Sequence, residues 1–64
     1  MNIIVTTQNG KLLLNYSDVL TIEELPLKAD ESTEFSTRIN FRNGSVVRVK
    51  EGFYSLYNEI REFK

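Results

Sequence analysis

Apolar residues alternate with polar ones in short runs up to about residue 50, and from Gly52 onward they recur every three or four positions. A period of two predicts strands and a period near 3.6 predicts a helix. The chain therefore reads as a β-rich segment followed by one amphipathic helix.

The first run, Asn2-Ile3-Ile4-Val5-Thr6-Thr7, is β-branched, and Lys11-Leu12-Leu13-Leu14-Asn15-Tyr16 follows it across Asn9-Gly10. Asn-Gly between apolar runs is a strong short-range hairpin signal. A two-residue Asn9-Gly10 loop predicts Thr7 opposite Leu12, Val5 opposite Leu14 and Ile3 opposite Tyr16. Ser17-Asp18 reads as a turn. Val19 to Leu25 reads as a third strand on its β-branched content, although the spacing also suits the start of a helix. Pro26 ends it, and Lys28 to Glu34 is a polar connection expected to be exposed.

Phe35 to Phe41 alternates most clearly, with Phe35, Thr37, Ile39 and Phe41 on one face and Ser36, Arg38 and Asn40 on the other. Its partner is Ser45 to Lys50. A two-residue Asn43-Gly44 loop would set Ile39 opposite Arg48 and place a charge on the core face. A three-residue Arg42-Asn43-Gly44 loop, with Gly44 at positive φ, pairs Ile39 with Val47 and Thr37 with Val49 instead. The two Asn-Gly sites are thus expected to form different turns, although their overlay also hints at an internal repeat. In the helix, Phe53, Leu56, Tyr57 and Ile60 form the apolar stripe, continued by Phe63 or Lys64, with Gly52 as N-cap. The predicted architecture is α+β: a single domain over residues 1–64 with a bent antiparallel sheet or half-barrel of about five strands. One C-terminal helix covers it.

Composition narrows the chemistry. A chain of 64 residues buries only about 60% of the surface its unfolded form exposes, so its stability is expected to be marginal. Small domains compensate with disulfides, a structural metal or self-association. With no Cys and no His, disulfides are excluded and the usual zinc and transition-metal ligands are missing, leaving self-association. Calcium ligation by Asp30 to Glu34 lacks the required glycine and spacing. The missing residue types also remove Ser-His-Asp, Cys-His and histidine acid/base catalysis. Glu23 and Glu24, adjacent in a strand, point to opposite faces and do not converge. The chain is read as non-enzymatic, with no cofactor. No apolar run reaches membrane-spanning length and the start lacks a basic signal-peptide region. A soluble, cytoplasmic protein is expected.

The net charge is −1, unevenly distributed. Residues 1–34 carry two basic and six acidic side chains, residues 35–64 six basic and three acidic. The predicted register puts Arg38 opposite Arg48 on the solvent face, with Lys50 one step along and Arg42 in the turn. Facing like charges are unfavourable, so an anionic partner such as a nucleic-acid backbone is one reading. A solvated sheet face is the plainer one. On the helix, Tyr54, Asn58 and Arg61 lie opposite the core stripe, and exposed Tyr and Arg are enriched in interface hot spots. Tyr54 folded over the sheet rim is the alternative. Tyr57 is expected to pack.

Asn9-Gly10-Lys11, Leu14-Asn15, Val19, Ile22-Glu23, Ile39, Asn43-Gly44 and Val49-Lys50-Glu51 together resemble the FlbD or SwrD family, small proteins of bacterial flagellar operons. Where that family has a short Pro-Asp turn, this chain has the longer stretch from Leu27 to Glu34. The order of strands, Asn-Gly hairpin and amphipathic helix also resembles the first half of a LytTR-type domain. Both resemblances imply the fold, and neither carries a binding residue across. The leading expectation is a small protein-binding adaptor or regulator of bacterial or phage origin that forms a homo-oligomer, with Tyr54, Asn58 and Arg61 or an exposed strand edge at the interface. Nucleic-acid binding through Arg38, Arg42, Arg48 and Lys50 is the alternative.

Overall fold

The computed structural model describes residues 2–26 and 34–62. Five antiparallel strands precede one helix: β1 (Asn2–Thr7), β2 (Gly10–Asn15), β3 (Val19–Glu24), β4 (Thr37–Phe41), β5 (Val46–Val49) and α1 (Phe53–Glu62). The expected α+β order holds. The strands divide into two ladders, β1-β2 and β3-β4-β5, forming an open structure covered by the helix. The expected polar connection falls largely on residues 27–33, and the expected end of the helical stripe on Phe63 or Lys64; both lie outside the described residues.

The first hairpin corrects the predicted register. Val5 faces Leu12, Ile3 faces Leu14 and Thr7 faces Gly10, so the loop is Gln8-Asn9. A tight turn on Asn9-Gly10 would need positive φ at both residues. Only Gly10 has it, at +115°. The Thr7 hydroxyl closes this turn, accepting the Asn9 N–H at 3.1 Å and donating to the Gly10 carbonyl at 2.9 Å. The slip is two residues, an even number, so the inward face is unchanged. Ile3, Val5 and Leu14 remain buried. Tyr16 no longer pairs with Ile3; it opens a 3-10 turn, Tyr16–Asp18, in which Asn15 Oδ1 accepts the Ser17 N–H.

The second hairpin follows the predicted register, with Thr37 opposite Val49, Arg38 opposite Arg48 and Ile39 opposite Val47. Phe41 N–H bonds Ser45 O at 2.9 Å around the three-residue loop, and Gly44 has φ +92°. Three strands are shorter than their apolar runs. Phe35 and Ser36 lie before β4, Leu25 after β3, and Ser45 and Lys50 outside β5.

The two ladders meet where β1 runs beside the end of β5. Lys50 N–H donates to Thr6 O at 2.9 Å. The next backbone group has a carboxylate as its partner: Thr6 N–H and Thr6 Oγ1 donate to the two oxygens of Glu51 at 2.7 and 2.9 Å. A side chain thus completes backbone pairing that the ladder leaves open. The core inside this curve consists of Ile3, Val5, Leu14, Val19, Ile39, Val49, Leu56 and Ile60. Leu56 and Ile60 come from α1, one turn apart, and anchor a helix too short to be stable alone.

Candidate functional site

Two surfaces carry the residues singled out from sequence. The first is the outer face of the three-stranded ladder. Glu23 stands opposite Arg38, which in turn faces Arg48. Arg38 grips Glu23 with three hydrogen bonds of 2.9–3.2 Å from Nε and Nη2. Asn40 adds an Nδ2 contact to Glu23 at 2.5 Å and another to Thr21 Oγ1 at 2.9 Å. Hydrogen bonds from Arg38, then Asn40, hold the Glu23 carboxyl below its usual pKa.

The other three basic groups are also engaged. Arg42 Nε donates to Ser17 O and Arg48 Nε to Phe35 O, each at 3.0 Å, and Lys50 Nζ lies 3.3 Å from Glu34. Arg38, Arg42, Arg48 and Lys50 thus share a neighbourhood but each has an internal partner. The like-charge contact of Arg38 with Arg48 has a local explanation in Glu23.

The second surface is on α1. Tyr54 is 69% exposed, with its ring 5.2 Å from that of Phe53 in a perpendicular arrangement. Asn58 and Arg61 are exposed on the same side. Tyr57, expected to pack, is 51% exposed. Its position three residues after Tyr54 and four before Arg61 puts it at the edge of their stripe, a spacing visible in sequence.

Beside this stripe runs a groove of about 340 Å³ between β3 and α1, lined by Leu20, Ile22, Phe53, Tyr57 and Arg61 among others. Leu20 is 58% exposed because the β3-β4 register shifts between Val19 and Thr21. Pattern reading cannot find a bulge that turns one apolar residue outward. Among the described side chains, those of residues 2–26 and 34–61, Arg61 makes no hydrogen bond or ion pair.

A smaller apolar pair, Ile4 and Leu13, faces outward across β1-β2. Among the described residues no three His, Cys, Asp or Glu side chains cluster to hold a metal, and no helix is long and apolar enough to cross a membrane. Comparison with protein families, curated proteins and solved structures finds no match to this chain.

Proposed function

We propose that the chain is a small non-enzymatic protein-binding adaptor or regulator of bacterial or phage origin, working through the exposed face of α1 and the adjoining groove. The observation that carries this reading is the stripe Tyr54, Tyr57, Asn58 and Arg61, which leaves two aromatic rings and a guanidinium in solvent. Rigid aromatics and Arg supply large contact area at low entropic cost. The composition supports it, since a chain with no His and no Cys lacks the parts of Ser-His-Asp, Cys-His and histidine acid/base catalysis.

Nucleic-acid binding through Arg38, Arg42, Arg48 and Lys50 has weaker support. Glu23 and Glu34 offset the charges of Arg38 and Lys50, which leaves Arg42 and Arg48, bonded only to carbonyls, as the net positive groups of this face, a small electrostatic footprint.

Affinity capture from a bacterial lysate separates the two readings. A partner protein retained by wild type and by Arg38→Glu/Arg48→Glu, but lost with Tyr54→Ala/Arg61→Glu, is the expected result. Capture indifferent to the helix variant, with a low-salt gel shift abolished by the strand variant, overturns it in favour of nucleic acid.

A further inference from the structure

The helix stripe has the spacing i, i+3, i+4, i+7, which reads the same in both directions, and it carries an aromatic ring at one end and a guanidinium at the other. Tyr54 and Arg61 lie equally far from a point between Tyr57 and Asn58. When two copies of α1 are laid antiparallel about a twofold axis through that point, Tyr54 of each faces Arg61 of the other, and the Tyr57 and Asn58 pairs lie on either side of the centre. We propose that this face pairs with a second copy of the same chain, through two Tyr54–Arg61 contacts flanking a Tyr57–Asn58 centre. The inference builds on the protein-binding reading above and specifies its partner.

Four physical features favour this occupant. The guanidinium meets an aromatic face, a cation–π contact made twice in one symmetric interface. The two Arg61 groups stand roughly 10 Å apart along the axis, about one Debye length at moderate salt, so their mutual repulsion is weak. Glu59 lies on the side of α1 away from the stripe. The Leu20 side chain and the groove beside Tyr57 lie at the flank of this contact, where pairing withdraws further apolar surface from water.

Other surfaces fit a second copy less well. The free edge of β3 is interrupted by its bulge, a device that discourages strand addition. Ile4 and Leu13 offer two apolar side chains between Asn2, Thr6, Lys11 and Asn15, with no complementary charge. A single helix pair is a small interface, so the dimer is expected to form in the micromolar range or weaker.

Sedimentation of the full chain from micromolar to millimolar concentration tests this directly. The expected result is a monomer–dimer equilibrium weakened at least about tenfold by Tyr54→Ala and by Arg61→Glu, each in a protein whose circular dichroism matches wild type. The chain has no cysteine, which permits a geometric check. Asn58→Cys, beside the axis, should oxidise to a covalent dimer, whereas Glu59→Cys should not. A monomer at every concentration overturns the proposal. So does a dimer indifferent to both helix variants but lost with Leu13→Thr, which places the contact on the hairpin face. In either case, capture of another protein that depends on Arg61 would leave the wider protein-binding reading standing.

Discussion

The outer face of the three-stranded ladder and the outer face of α1 both carry Arg residues in solvent, yet among the described side chains an Arg with a carboxylate partner is found on the ladder and not on the helix. Arg38 is held by Glu23, and Asn40 joins both to Thr21. Arg61 has no such partner among the described side chains, and it lines the groove together with Phe53 and Tyr57. A basic residue in a strand acquires neighbours from two adjoining strands, so its apparent prominence in one strand's sequence is often cancelled by another's. On a short helix at the surface the flanking element is solvent. The same residue type therefore argues for binding more strongly on the helix than on the sheet.

The largest contrast lies within α1 itself. Leu56 is buried against the sheet while Tyr54 projects from the other side. Leu56→Ala should cost about 3 kcal/mol, from lost burial plus the cavity left behind. That is a large part of the roughly 3–10 kcal/mol expected for a domain this small. Tyr54→Ala should cost less than about 0.5 kcal/mol. Urea unfolding followed by circular dichroism measures both. Comparable losses at the two positions would mean that Tyr54 serves the fold and is not held in reserve for a partner.

Glu51 should rank next. Its carboxylate joins the two ladders through Thr6, and Glu51→Ala removes two bonds to a charged acceptor, at a cost of roughly 2 kcal/mol. Burial raises the Glu51 pKa, but the Thr6 N–H, its own N–H and the Thr6 hydroxyl outweigh this and leave it below the ordinary value of 4.5. Because the folded-state pKa is the lower one, the unfolded chain binds more protons in acid. Stability should be level above about pH 5 and decline as pH falls through the carboxylate range. Glu51→Gln should flatten that decline. An unchanged pH profile would show that the carboxylate does not hold the ladders together.

Much of this fold is readable from spacing. The period change at Gly52, the inward set Ile39, Val47 and Val49, and the three-residue second turn all follow from keeping charge off the core face. The first turn is not fixed by spacing, because Asn-Gly admits more than one placement of the loop, and an even slip leaves the faces intact with no hydrophobic penalty to distinguish the two registers. The Glu23–Arg38 contact is not readable in the same way: the long connection between β3 and β4 imposes no register, unlike a hairpin loop. Of the candidate interface, Tyr54, Asn58 and Arg61 were apparent from helical spacing, whereas Leu20 depends on a bulge.

A smaller effect is expected directly behind the polar ladder face. Thr37 alternates with Arg38 on β4, is 0% exposed, and its hydroxyl has no hydrogen-bond partner among the described residues. Thr37→Val keeps the shape and removes an unsatisfied polar group. It should stabilise the protein by about 1 kcal/mol. Destabilisation in thermal melts would show that the hydroxyl is bonded in solution, and would extend the satisfied network of the outer face to the inner one.

The smallest effect on stability, though the most direct test of the contrast between the two faces, concerns Glu23 itself. The pair with Arg38 is partly exposed on both sides, and such surface pairs contribute little because water and salt screen them. Its signature is therefore titration and not melting. The Glu23 carboxyl, followed by nuclear magnetic resonance, should titrate below the ordinary glutamate range and move back toward it in Arg38→Gln. The swapped variant Glu23→Arg/Arg38→Glu should restore the depressed titration at position 38 if proximity alone sets it. An ordinary Glu23 pKa in wild type would mean that Arg38 is not held by its neighbour in solution. The ladder face would then offer uncommitted charge as the helix face does, and the case for nucleic-acid binding would regain the ground that this pairing removes.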